Sequence, residues 1–134
     1  MKRTEFDQIV HETLEMCDKV LVVKAKEYAT EDRLHNFKIA AGMQGISPIQ
    51  ALAGMMAKHT VSVYDMCYAN REFPIELWNE KITDHMNYLI LLKGLVIEQK
   101  TSGKMQGHTT QELLDKLNKN NEHPFKSPVV APEG

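Results

Sequence analysis

The stretch from Pro74 to Gln99, PIELWNEKITDHMNYLILLKGLVIEQ, leaves the chain little choice of fold. Ile75, Trp78, Ile82, Leu89, Leu92 and Val96 recur at spacings of three, four and seven, the period of a buried helical stripe. The spacing predicts one long helix with that stripe turned inward and Glu80, Asp84, Asn87, Tyr88 and Leu91 lying off it. Glu80 and Asp84 are four apart, so their carboxylates project from one face, a turn above each other. Like charges at that spacing cost roughly 0.2–0.5 kcal/mol. A divalent cation or a basic side chain from another helix removes the cost. Most such pairs near a helix start are solvated surface favoured by the helix dipole, so the pair alone does not make a site.

A helix of that length needs long partners, and the chain supplies two. The first spans Thr4 to Lys26, with Thr4 as its N-cap, acids in the first turn, and Phe6, Ile9, Val10, Leu14, Cys17, Val20 and Leu21 as its apolar stripe. The second opens on Ser47, Pro48 and Gln50, an S-x-x-Q capping box with proline at the first helical position, and ends near Tyr68 to Asn70. Ile49, Leu52, Ala53, Met56, Val63, Tyr64 and Cys67 line one side of it. Between them lies a polar connector holding a short helical piece, Leu34 to Ala41, closed by Gly42 and Gly45. Connectors of that length are often functional. No strand-like alternation stands out. The reading is an all-α bundle of three long helices plus a short C-terminal helix near Thr110 to Lys119. Residues 1–100 form the helical domain, 101–120 a linker with the short helix, and 121–134, with three prolines, a flexible tail.

Composition closes off several functions. Net charge is −2, so duplex nucleic acid is not the expected partner. Cys17 and Cys67 stand fifty apart and form no CxxC, which leaves two buried free thiols as the expectation for a reducing cytoplasm. Lys2, Arg3, Glu5 and Asp7 exclude an apolar leader at the start, and Lys93 interrupts the longest apolar run, so neither a signal peptide nor a membrane span is expected. Neither a phosphate-cradling glycine loop nor an HExxH or GxSxG nucleophile motif is present. A bound phosphate would be held by side chains, by metal or by helix N-termini.

The order of two long helices around a polar connector, then an acidic pair followed by Asn-Tyr, resembles the MazG-like all-α nucleoside triphosphate pyrophosphohydrolases. The likeness is greatest to phage and prophage members of the nucleotide-modification-associated type. It covers roughly residues 5–100 and rests on short motifs: Lys26, Glu27 and Tyr28, then Asn36 and Phe37, then Lys58, then Glu80, Asp84, Asn87 and Tyr88. The resemblance implies a nucleotide ligand in a bacterial cytoplasm and attack of water on an α-phosphate with magnesium bridging the phosphate oxygens. Such enzymes set an ExxE pair on the second long helix against the acids of the third. Here that helix reads Leu52-Ala53-Gly54-Met55-Met56-Ala57-Lys58-His59, and half of the expected metal cage is missing.

The departure shapes the function expected. With Arg33, Lys58 and His59 neutralising phosphate, Tyr28, Phe37 or Tyr88 stacking on a base, Asn36 or Asn87 reading its edge, and Lys26 placed at the site by the resemblance, the chain would bind a nucleotide with weak or no hydrolysis. Sequestering a nucleotide-derived defence signal is one such role. Magnesium on Glu80 and Asp84 is an option that this reading does not require. Two alternatives stay open. One is a magnesium-dependent pyrophosphohydrolase with catalytic Glu80 and Asp84, whose missing acids come from Glu27, Glu31 or Asp32. The other is an oligomeric interaction protein without a small ligand. In each case a homo-oligomer, dimer or tetramer, is expected, because three amphipathic helices leave one side of a bundle open.

Overall fold

The computed structural model describes residues 1–27, 30–103 and 110–120. It is all-α, with helices α1 (Arg3–Glu27), α2 (His35–Gln44), α3 (Pro48–Tyr68), α4 (Ile75–Ser102) and α5 (Thr110–Asn120), and no strand among the described residues. Most of the predicted linker before α5, and the predicted tail at 121–134, lie outside the described residues. Contacts divide the chain into two units, Met1–Leu95 and Val96–Gly134. No helix among the described residues is long and apolar enough to cross a membrane.

Local chemistry sets the helix ends. At α3 the Ser47 hydroxyl accepts from the Gln50 backbone N–H at 3.1 Å, and the Gln50 side chain accepts from the Ser47 N–H at 3.0 Å, the reciprocal box expected from the sequence. The start of α1 differs from expectation. Thr4 lies inside the helix, and the Glu5 carboxylate reaches back to accept from the Lys2 N–H at 2.7 Å. In α2 the chain runs through Gly42 and stops at Gly45, whose φ of +67° is the left-handed cap that glycine adopts without a Cβ clash.

Within the first unit, Phe37, Leu52 and Leu95 form the buried centre, with Leu34, Ile49, Met55, Met56, Tyr88, Leu91 and Leu92 packed around it. Only α2 and α3, among the described residues, bring their backbones within 8 Å of each other, and each contributes a buried alanine, Ala41 and Ala51. Met55 shares a cavity wall with Leu91, and Thr60 Oγ1 lies 3.0 Å from His85 Nε2, so α3 and α4 run antiparallel. Met16 and Val20 share a hollow with Asn79 and Thr83, while Leu21 and Lys24 share one with Asn87 and Leu91. Helices α1 and α4 therefore run in the same direction.

The inward face of α4 is not the predicted one. Its buried residues are Thr83, Asn87 and Leu95, with Tyr88, Leu91 and Leu92 against the core. Ile75, Ile82 and Leu89, half of the predicted stripe, are 64%, 37% and 48% exposed. The periodicity was real, but α4 carries apolar residues on two faces, and the mixed one turns inward. On α1 only Cys17 is buried, and Phe6, Ile9, Val10 and Leu14 of the predicted stripe are exposed. On α3, Ala53, Tyr64 and Cys67 are exposed. Cys67 is thus a free surface thiol, where a buried one was expected.

Candidate functional site

The side chain that marks the site is Asn87. It is 5% exposed, and among the described residues neither its Oδ1 nor its Nδ2 has a hydrogen-bond partner. A buried, unmade polar group costs about 1–3 kcal/mol, and buried amides are nearly always satisfied. Asn87 lines a cavity of about 420 Å3 among α1, the connector, α2, α3 and α4. An orphaned donor and acceptor on the wall of such a cavity point to a ligand that completes both bonds.

The rest of the wall sorts by chemistry. Phe37 and Tyr88 meet edge to face at 6.3 Å and supply an aromatic corner. Leu21, Ile39, Met43, Met55 and Leu91 make the apolar lining. Lys24, Arg33 and His35 bring basic groups, and the acid among the described lining residues is Asp84, a turn before Asn87. The connector is positioned by Asp32. Its carboxylate accepts from the Leu34 N–H at 3.0 Å and from Lys38 Nζ at 2.7 Å. The Lys38 bond, with the backbone bond second, holds the Asp32 carboxyl below its ordinary range. That fixes the turn delivering Arg33, His35, Asn36 and Phe37 to the cavity.

His59 stands behind the aromatic corner. Its ring lies 4.7 Å from the Tyr88 ring, centroid to centroid, tilted by 33°. Burial lowers its pKa, outweighing the upward pull of Asp84, and Lys58, Lys24 and Lys81 add to the lowering. His59 therefore carries less positive charge near neutrality than an ordinary histidine, and its ring packs against Tyr88.

Of the residues predicted from sequence, Arg33, Asn36, Phe37, Asp84, Asn87 and Tyr88 converge on the cavity. Lys58 is exposed and does not line it, and Lys26 is exposed on the last turn of α1. Tyr28 lies outside the described residues. Glu80 does not line this cavity. It is exposed, lies 3.5 Å from Lys81 Nζ, and lines a second, apolar hollow of about 390 Å3 between α1 and α4 that Asp84 also reaches. Glu27 and Glu31 are exposed, and Asp32 is committed to Lys38 and the Leu34 N–H. No three His, Cys, Asp or Glu side chains converge as a metal site among the described residues. Glu80 and Asp84 lie one turn apart on α4, and of the two only Asp84 lines the larger cavity.

Sequence reasoning missed Lys24 and His35. Lys24 was within reach of it, because it continues the Cys17, Val20, Leu21 face of the first helix by one more turn. His35 gave no such signal.

No protein-family model, no curated protein and no solved structure matches the chain.

Proposed function

We propose that the cavity binds a phosphorylated nucleotide and retains it without a built-in means of hydrolysing it. The observation that carries this reading is the buried, unpartnered Asn87 carboxamide. A carboxamide presents a donor and an acceptor side by side, the pattern that matches the edge of a nucleobase. Phe37 and Tyr88 offer aromatic surface beside it for the base, and Lys24 and Arg33 offer positive charge for phosphate. A cavity of about 420 Å3 is within the range that takes a small ligand.

The MazG-like resemblance adds weight to a nucleotide as the ligand. Binding without turnover fits a protein that sequesters a nucleotide, a defence signal among the candidates, inside a bacterial cell. The pyrophosphohydrolase reading requires magnesium. Asp84 is the acid that the described residues place on this cavity wall, and it would be the group to hold the ion beside a phosphate. The protein is proposed to work as a homo-oligomer, since much of its apolar helix surface is exposed in a single chain.

The test is a survey by native mass spectrometry of small molecules that copurify with the chain, followed by calorimetry with those molecules with and without a chelator. The expected result is a retained nucleotide, bound equally well with chelator present and unchanged after incubation with magnesium. A nucleotide that binds only with magnesium and is cleaved defeats the sequestration reading. A protein that carries and binds no nucleotide defeats the nucleotide reading altogether.

A further inference from the structure

One face of α4 carries a longer hydrogen-bonding pattern than the Asn87 carboxamide alone. Asp84, Asn87, Tyr88 and Leu91 stand three and four apart, and all four line the larger cavity. Side chains three apart on a helix have Cβ atoms about 5–6 Å from each other. Asp84 and Asn87 have side chains of equal length, so both can meet one flat group in the cavity. The two bring different chemistry. Asn87 brings an acceptor and a donor, both unmade among the described residues. Asp84 brings acceptors alone. It is half-buried and makes no hydrogen bond or ion pair among the described residues. Together they ask for an acceptor, a donor and then a second donor along the edge of the ligand.

We propose that the base held in this cavity is guanine, with Asn87 on its O6 and N1–H and Asp84 accepting from its N2 amine. The assignment rests on the nucleotide reading above and names the base. The Watson–Crick edge of guanine carries an acceptor and two donors in a row. Adenine satisfies a carboxamide through N6 with N1 or with N7, and beyond either pair lie a C–H and a ring lone pair. Uracil and cytosine also satisfy a carboxamide, and beyond that pair they set a carbonyl oxygen or a C–H. Neither donates to Asp84, and an oxygen there is repelled by the carboxylate. Phe37 and Tyr88 supply aromatic surface for a purine to stack on.

Calorimetry with the 5′-mono- and 5′-triphosphates of guanosine, inosine, adenosine and uridine tests the assignment. Inosine differs from guanosine in lacking the N2 amine. The wild-type chain should bind guanosine nucleotides at least about tenfold more tightly than the other three, the loss expected for one charge-assisted hydrogen bond. In Asp84→Ala the gap between guanosine and inosine should close to within about twofold. Asp84→Asn should gain affinity, at least about tenfold, for xanthosine 5′-monophosphate, because its amide donates to the oxygen that xanthine carries in place of the amine. A gain of that kind cannot come from a damaged fold. Guanosine and inosine nucleotides bound equally by the wild type overturn the assignment and leave the nucleotide reading standing. A gap that persists in Asp84→Ala overturns the role of Asp84, as it would if that carboxylate held a metal ion beside the phosphates and affected both nucleotides alike. A chain that binds none of these nucleotides defeats the nucleotide reading, and the assignment with it.

Discussion

Asn87 is held where folding alone would favour leucine. Its carboxamide is desolvated on an inward face and has no partner among the described residues, so the ligand-free protein bears the cost of an unmade pair of hydrogen bonds. Asn87→Leu should therefore stabilise the free protein by about 1 kcal/mol, raising Tm by several degrees, while reducing nucleotide affinity at least about tenfold. Thermal melts and calorimetry on the same samples check both halves. A variant that loses stability and keeps its affinity would show Asn87 to be structural. The phosphate side is tested apart from the base side. Lys24→Ala should weaken binding about ten- to a hundredfold, as loss of a charge-assisted contact does, whereas Lys58→Ala should leave it unchanged because Lys58 is not on the cavity wall.

His59 adds a pH dependence whose sign is fixed by its burial. Its folded pKa is below the ordinary 6.5, so around that pH the unfolded chain binds more protons than the folded one. Stability is complete above the ordinary value, falls as the pH drops through it, and levels off below the depressed folded value. Asp32 is also lowered, but from 3.8, so its loss comes at more acidic pH and does not overlap. Melting temperatures measured across pH 5 to 8, roughly the window in which histidine titrates, should fall on the acid side. In His59→Phe that fall should flatten. An unchanged slope would assign it to another group.

At the scale of elements, what was legible in the sequence was local. The start of α3 was readable because Ser47 and Gln50 satisfy each other's backbone within four residues. Ser47→Ala should accordingly lower stability by about 1 kcal/mol, read as a Tm decrease of several degrees. The orientation of α4 was not legible, because Ile75, Ile82 and Leu89 make as regular a stripe as the one that is buried. Hydrophobic period identifies a helix, and it identifies the buried face only when the other face is polar. Here the inward face carries Thr83, Asn87 and Tyr88, residues that a count of apolar positions passes over. The same limit affected the site. Asn36, Phe37, Asp84, Asn87 and Tyr88 were readable as candidates, but Lys58 and Glu80 were placed with them because spacing along a helix does not say which neighbour each face meets.

At the scale of the whole molecule, the cavity and the exposed apolar side chains of α1 sit at opposite ends of one helix. Lys24, on the cavity wall, is fourteen residues from the exposed Val10, which along α1 is about 21 Å. No side chain belongs to both places, and sites separated by more than about 7–10 Å without shared partners contribute independently to free energy. Val10→Glu should therefore leave nucleotide affinity within about twofold, and Asn87→Leu should weaken nucleotide binding at least about tenfold and leave self-association intact. The double variant should show the loss of Asn87→Leu and nothing beyond it. Calorimetry and sedimentation on the four proteins complete the cycle. A nucleotide affinity that drops with Val10→Glu would mean that α1 transmits a change at its exposed start to its Lys24 end, or that a partner subunit completes the cavity. Either outcome would make the single chain an insufficient description of the site, and would require the oligomer to be solved before the ligand could be argued from the cavity wall alone.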